Sequence, residues 1–80
     1  MECIVPLSGK EKRRLQAFGA NVRRERCAQR LTQDQLAEQA EIATRNLQKV
    51  EAGELNILLT TVLRVQLALG CSWKSLMPGD

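Results

Sequence analysis

The chain has 80 residues and a formal net charge of +3, which predicts a single domain with a small hydrophobic core. Hydrophobic residues make up 44% of the sequence but aromatic residues only 2%, so the core must be largely aliphatic. No apolar run approaches the roughly 18 residues of a membrane span, and the amino terminus lacks the charge order of a secretory signal. These features indicate a cytoplasmic protein with no membrane partner.

The sequence has no histidine, and its three cysteines, Cys3, Cys27 and Cys71, stand far apart. Without a CxxC pair they do not supply the four ligands of a zinc site, so we expect no metal and no cofactor. We interpret two of them as small buried hydrophobic residues and Cys3 as a thiol in a tail. The lack of histidine also removes the commonest general base, which argues against an enzyme.

Residues 1–8 show no amphipathic pattern, which indicates an arm or tail. Ser8 and Glu11 fit a capping box, so the first helix is predicted to begin at residue 9 or 10. We expect this helix to continue to about residue 29. Its inner face is marked by apolar residues at helical spacing: Leu15, Phe18 and Val22.

Positive charge is concentrated in and around this first helix. Residues 10–30 hold eight cations against two carboxylates, a net of +6, whereas residues 31–80 sum to −2. A basic stripe of this kind is typical of a surface that contacts phosphates. The alternative is a solvated helix face, and some of these side chains must be only that.

Residues 31–53 are the most informative part of the chain, because they indicate two short helices joined by a tight turn. Thr32 and Gln35 fit a capping box at the start of the first, predicted at about 33–40. The second is predicted at about 44–51 and is ended by Gly53, which adopts positive φ without steric cost. Apolar stripes mark the inner faces of both helices: Leu36, Ala37, Ala40, Leu47 and Val50.

The outward face of the second helix carries hydrogen-bond donors and cations but no acidic residue. Such side chains suit base edges and phosphates in the major groove of DNA. An ordinary helical hairpin with a solvated polar face has the same spacing, so the pattern alone leaves both interpretations open. The residues on this face are Thr44, Arg45, Gln48 and Lys49.

An irregular link after Gly53 leads to a fourth predicted helix at about residues 59–69. Ser72 is expected to cap a short fifth helix at residues 73–77. The inward residues of the fourth helix are expected to be Leu59, Val62, Leu63 and Leu69.

Residues 18–77 resemble the phage repressor/Cro-type (XRE) helix-turn-helix family, in register and without gaps. The matching elements are Phe18-Gly19, Arg26, LTQDQLA at 31–37, Glu51-Ala52-Gly53 and LALG at 67–70. The resemblance implies an all-α, compact five-helix bundle of the lambda repressor-like type. Its helix-turn-helix core would span about residues 32–51, within a single domain of residues 1–80.

Several positions depart from the family pattern. Glu41 stands where the turn usually has glycine, and a positive φ there would cost about 1 kcal/mol relative to glycine. Arg30 also replaces a common glycine. Ala43 stands where a serine or threonine usually caps the recognition helix, so Thr44 is left either to cap that helix or to contact a base.

The outward face and the resemblance together assign roles on DNA. Base contacts are expected from Thr44, Arg45 and Lys49. Gln33 begins the preceding helix and matches a family glutamine that contacts phosphate. The family register places Arg26 against Glu51 beneath the recognition helix; the alternative is two unrelated surface charges. Further phosphate contacts are expected from Asn46, Arg23 and Gln48.

The sequence therefore predicts a sequence-specific transcriptional regulator, a repressor, that binds palindromic double-stranded DNA as a homodimer. No small-molecule ligand is evident. Pairing is expected through the C-terminal half, so that the recognition helix stays free, on an apolar surface of Leu55, Ile57, Leu58, Trp73 and Met77. The alternative is a small protein-interaction module, such as an antitoxin or anti-repressor, because Glu41 near the groove-facing surface would repel phosphate.

Overall fold

The computed structural model describes residues 9–54 and 59–77, and these residues form five α-helices with no β-strand among them. The helices are α1 (Gly9–Ala28), α2 (Gln33–Ala40), α3 (Thr44–Ala52), α4 (Leu59–Leu69) and α5 (Trp73–Leu76). The predicted all-α class is confirmed, and the helix bounds agree with the predicted ones to within one residue. None of the described helices is long and apolar enough to cross a membrane.

Local capping explains where α2, α3 and α5 begin. At α2, Thr32 Oγ1 accepts a hydrogen bond from the Gln35 amide at 3.0 Å, and the Gln35 side chain accepts from the Thr32 amide at 2.8 Å. Ser72 accepts from the Ser75 amide at the start of α5. The N-cap of α3 is Ala43, which has no capping side chain, so Thr44 is not the cap. The Ser8 half of the predicted first capping box lies outside the described residues.

The core lies between the five helices, each of which contributes buried residues. α1 packs against α3 and α5, while α4 packs mainly against α2. Val62 lies half-buried against this core, and Leu15 of α1 is also half-buried. Its buried residues are Phe18, Val22, Leu36, Ala37, Ala40, Leu47, Val50, Val65, Leu69 and Leu76.

One face of α4 differs from the prediction. Leu69 is buried as expected, but the inward placement of Leu59 and Leu63 was wrong, since they are 71% and 43% exposed. A helix of 3.6 residues per turn that points Val65 and Leu69 inward must carry residues 59, 63 and 67 on its opposite side. Leu67 is accordingly 75% exposed. This exposed row, the leucine stripe, consists of Leu59, Leu63 and Leu67.

The cysteine interpretation was wrong for Cys27, which is exposed near the end of α1. Cys71 is half-buried between α4 and α5, and this burial, helped by the nearby Glu25 carboxylate, raises the pKa of its thiol. Cys3 lies outside the described residues. Among the residues that the structure describes, no cluster of three or more acidic, cysteine or histidine side chains is arranged to hold a metal ion.

Candidate nucleic-acid interface

α3 is seated so closely on α1 that side chains are excluded at two points. A methyl group on Gly19 would lie 2.7 Å from the Glu51 carbonyl oxygen, and closer still to that of Val50. Gly53 ends α3 in the left-handed region at φ 69°, and a methyl group there would lie 2.6 Å from the Cα atom of Gln16. Backbone contact at both points therefore sets the distance of α3 from α1.

An ion pair sets the orientation of α3. Arg26 donates through Nε to Glu51 Oε2 at 2.7 Å and through Nη2 to Oε1 at 3.2 Å, a bidentate arrangement. The two side chains are only 12% and 5% exposed. The hydrogen bond to Glu51 raises the pKa of Arg26, against the opposing effect of burial. Arg26 Nη1 also donates to the Leu31 carbonyl at 2.8 Å, which ties in the link before α2.

Gln33 joins this network at the start of α2. Its side-chain nitrogen donates to Glu51 Oε1 at 3.0 Å, so one carboxylate oxygen serves both Gln33 and Arg26. An amide nitrogen carries two hydrogens, so this bond uses only one of the two donors of the Gln33 side chain. The hydrogen bond to Glu51 restricts the rotamer of Gln33. The sequence did not predict this hydrogen bond, because the two residues are 18 apart.

The turn between α2 and α3 is held in a left-handed conformation by a residue other than glycine. Glu41 has φ 59° and ψ 43°, as its position in the family pattern required, and its amide donates to the Ala37 and Glu38 carbonyls. Its own carbonyl accepts a hydrogen bond from Arg64 Nη1 of α4 at 3.0 Å. Arg64, which the sequence did not single out, therefore supports the turn from outside.

The outward face of α3 is cationic, as its sequence suggested. Arg45, Asn46 and Gln48 are exposed, whereas Thr44 and Lys49 are half-buried. A shallow concavity is lined by Arg45, Gln48, Lys49 and Glu54. The side chains of Arg45 and Lys49 form no hydrogen bond or ion pair with another described residue. Glu54, which the sequence did not single out, places one carboxylate at the carboxyl end of this face.

Cations of α1 and of the turn after it have different surroundings. Arg24 is used structurally, since its Nη2 donates to the Ser75 carbonyl at 2.7 Å and its Nη1 donates to Asn21 Oδ1 at 2.9 Å. Asn21 in turn donates to the Leu76 carbonyl at 2.9 Å, so both side chains hold the carboxyl end of α5. An exposed group points to solvent: Lys10, Lys12, Arg13, Arg23 and Arg30.

The expected dimer surface is only partly described. Trp73 and Met77 are 38% and 41% exposed at α5. The other three predicted members, Leu55, Ile57 and Leu58, lie outside the described residues. The leucine stripe of α4, which was not part of the predicted surface, is the larger exposed apolar feature among the described residues.

A family model described as helix-turn-helix matches residues 22–76, which include α2, α3, α4 and α5. The chain belongs to the helix-turn-helix family. The predicted XRE-type resemblance is confirmed, and the protein is a DNA-binding transcriptional regulator. This membership places α3 in the position of the recognition helix. No curated protein matches this helix-turn-helix chain in a sequence comparison.

Solved structures of regulators are similar to this helix-turn-helix protein over most of its length. The restriction-modification controller protein C.AhdI from Aeromonas hydrophila has 30% identity and a TM-score of 0.75, covering 79% of this chain and 96% of that chain. The clp gene regulator ClgR from C. glutamicum has 25% identity and a TM-score of 0.73, with coverages of 94% and 88%. The hypothetical transcription factor NHTF from Neisseria has 26% identity and a TM-score of 0.72, with coverages of 96% and 91%.

Proposed function

We propose that this protein is a sequence-specific repressor that binds a palindromic operator as a homodimer. The observation that carries the proposal is the unpaired cationic face of Arg45 and Lys49 on a helix that Arg26 and Glu51 hold rigidly against α1. Base readout needs side chains placed to within a fraction of an ångström, which a rigidly seated helix provides. A cationic face without such support would favour phosphate binding of low sequence specificity.

On this proposal, Arg45 and Lys49 donate to acceptors on base edges, and arginine pairs best with the two acceptors of guanine. Thr44 contacts a base at the start of α3, since Ala43 already occupies the capping position. Gln33 and the free amides at the start of α2 bind a phosphate, where the helix dipole favours negative charge. Supporting phosphate contacts come from Asn46, Gln48 and Arg23.

A homodimer follows from the small footprint of one recognition helix. A single α3 reads only a few base pairs, and a two-fold pair doubles the contacts on half-sites about 34–36 Å apart. Repression requires only that the bound protein excludes other proteins from the operator. Because its ligand is DNA, the protein acts in the compartment that holds DNA, which is consistent with the expected cytoplasmic location.

The test is selection of bound sequences from a pool of random duplexes by the purified protein. A palindromic consensus is expected, with a half-site spacing close to one helical turn. Affinity for bulk DNA should fall steeply as salt increases, because bound cations release counterions from the phosphates. The matched control is the Arg45→Ala, Lys49→Ala double variant, which should fold but recover no consensus.

One observation favours a second function. Glu41 is exposed in the turn beside α3 and would repel a nearby phosphate, as expected of a protein-interaction module such as an antitoxin or anti-repressor. Such a module would elute early from heparin, show little dependence on salt and select no DNA sequence. That result would replace the repressor proposal with the interaction module.

A further inference from the structure

The leucine stripe is an apolar surface on the side of α4 that faces away from the core. Leu59, Leu63 and Leu67 are 71%, 43% and 75% exposed, while Val65 on the opposite side is fully buried. Successive stripe residues are four apart, so they form one row along the helix. A contiguous row of exposed leucines is costly in water and marks a surface that another apolar surface covers.

The flanks of the stripe on α4 itself carry little charge, although Glu41 and Arg64 line a shallow concavity beside Leu67. On a helical projection its flanking positions are Thr60 and Gln66, and Gln66 is engaged with the Cys71 carbonyl at 2.7 Å. Arg64 is the only charged residue of α4, and it turns aside to bond the Glu41 carbonyl at 3.0 Å. The cores of protein interfaces are similarly depleted in charge. Arg64, the one cation of α4, is accompanied by the Glu41 carboxylate, so this face lacks the unbalanced positive charge that binds a nucleic acid and suits a protein partner.

We propose that the stripe is covered by the stripe of a second copy, with the two α4 helices antiparallel across a two-fold axis. The stripe is symmetric about Leu63, which has one leucine four residues before it and another four residues after it. In antiparallel pairing, Leu63 meets its own copy on the axis and Leu59 meets Leu67 of the other chain at both ends. Such self-complementarity is what a two-fold interface requires.

Charge also favours a second copy in this arrangement. Two chains of net charge +3 repel each other wherever their α1 cations approach, and pairing through α4, whose one charged residue is Arg64, reduces that repulsion. The size of the stripe limits the affinity. An 11-residue helix is about 16 Å long, and one such helix pair falls short of the roughly 800 Å² per partner of a standard stable interface. The dimer is therefore weak when free and strengthened by binding both half-sites of one DNA.

This inference rests on the proposed homodimer but assigns it a surface other than the Trp73 and Met77 region.

Disulfide cross-linking tests the register of the two α4 helices. In full-length protein with Cys3, Cys27 and Cys71 changed to serine, Leu63→Cys should cross-link to itself under mild oxidation. Leu59→Cys and Leu67→Cys should cross-link when the two variants are mixed and not when each is alone. Ala28→Cys, exposed at the end of α1, is the control and should form no disulfide-linked dimer.

Sedimentation with the native cysteines present tests the same surface without oxidation. Leu63→Asp should weaken dimerisation by about 30-fold or more, the scale of a central interface residue, with unchanged helical content. Met77→Asp is the matched control and should leave the dimer intact. The inference is overturned if Met77→Asp alone dissociates the dimer, if Leu59→Cys cross-links to itself, or if wild type is monomeric at tens of micromolar and on DNA. Sequence selection by a wild-type monomer would contradict this dimer while leaving base readout in place.

Discussion

α3 and α4 bury one face each in the same core, but they are held and exposed in different ways. α3 is fixed to α1 by the Arg26–Glu51 pair and by backbone contact at Gly19. α4 is held largely by apolar packing of residues such as Val65 and Leu69. The outer face of α3 is polar and cationic, whereas that of α4 is a row of leucines. In a small bundle, the face turned away from the core indicates the class of partner.

The way each helix is held also suits the partner proposed for it. Bidentate hydrogen bonds and close backbone contact have narrow geometric tolerances, so they fix the direction of a helix that must match base edges. Apolar packing tolerates small adjustments, and a protein interface adjusts with it. Variants in α1 and α3 test how strongly the position of α3 depends on polar support and close backbone contact.

The largest effect is expected from removing the carboxylate beneath α3. Glu51→Ala leaves the buried Arg26 guanidinium unpaired and should lower the free energy of unfolding by about 3–5 kcal/mol. Chemical denaturation followed by circular dichroism measures this. Glu54→Ala, an exposed carboxylate two residues beyond the end of α3, is the control and should change stability by less than about 0.5 kcal/mol. A loss below about 1 kcal/mol for Glu51→Ala would mean that apolar packing alone holds α3.

The next effect concerns the backbone contact between α1 and α3. Gly19→Ala places a methyl group against the Val50 and Glu51 carbonyls, and should destabilise the fold by about 1–3 kcal/mol through overpacking. Gly9→Ala is the matched control, because a methyl group there meets nothing within 4 Å and alanine favours a helix. Denaturation midpoints compare the two variants. Equal stabilisation in both would show that α3 moves freely away from α1.

The sequence predicted α2 and α3 well because each carries a local signal. The Thr32–Gln35 capping box marks one start, and Gly53 marks one end. The face of α4 was not predictable in the same way, since apolar residues occur on both of its sides. Because leucine or valine occupies six of the 11 positions of α4, periodicity no longer decides which side of the helix is buried.

In the candidate site, too, some residues have a local sequence signal and others do not. Arg45 and Lys49 could be picked out because a short helix with one polar face leaves few outward positions. Two hydrogen bonds of the site could not be predicted from the sequence. They join Gln33 to Glu51 and Arg64 to the Glu41 carbonyl, residues 18 and 23 apart that only tertiary packing brings together. Cys27 was misplaced for a related reason, since a lone cysteine at a helix end carries no pattern.

A smaller effect separates base contacts from phosphate contacts on the two helices of the motif. Arg45→Ala should cost about 1–3 kcal/mol on the selected operator and little on random DNA, because arginine discriminates between bases. Gln33→Ala is its counterpart and should weaken binding to both by a similar amount, since a phosphate carries no sequence information. Fluorescence anisotropy on the two duplexes measures both. An equal loss on both duplexes for Arg45→Ala would reassign Arg45 to the phosphates.

The smallest effect concerns the turn that joins the two helices of the motif. Glu41 and Arg30 are the two non-glycine residues with positive φ in the described chain, at 59° and 58°. Glycine relieves this strain, so Glu41→Gly and Arg30→Gly should each stabilise the fold by about 1 kcal/mol. Their effects on DNA should be opposite, because the first removes a carboxylate beside α3 and the second removes a cation. Denaturation and binding to random DNA, measured for both variants, separate backbone strain from charge. If Glu41→Gly raises stability without raising DNA affinity, the Glu41 carboxylate lies away from the phosphates. The turn itself would then make no electrostatic contribution to the cationic surface of α3.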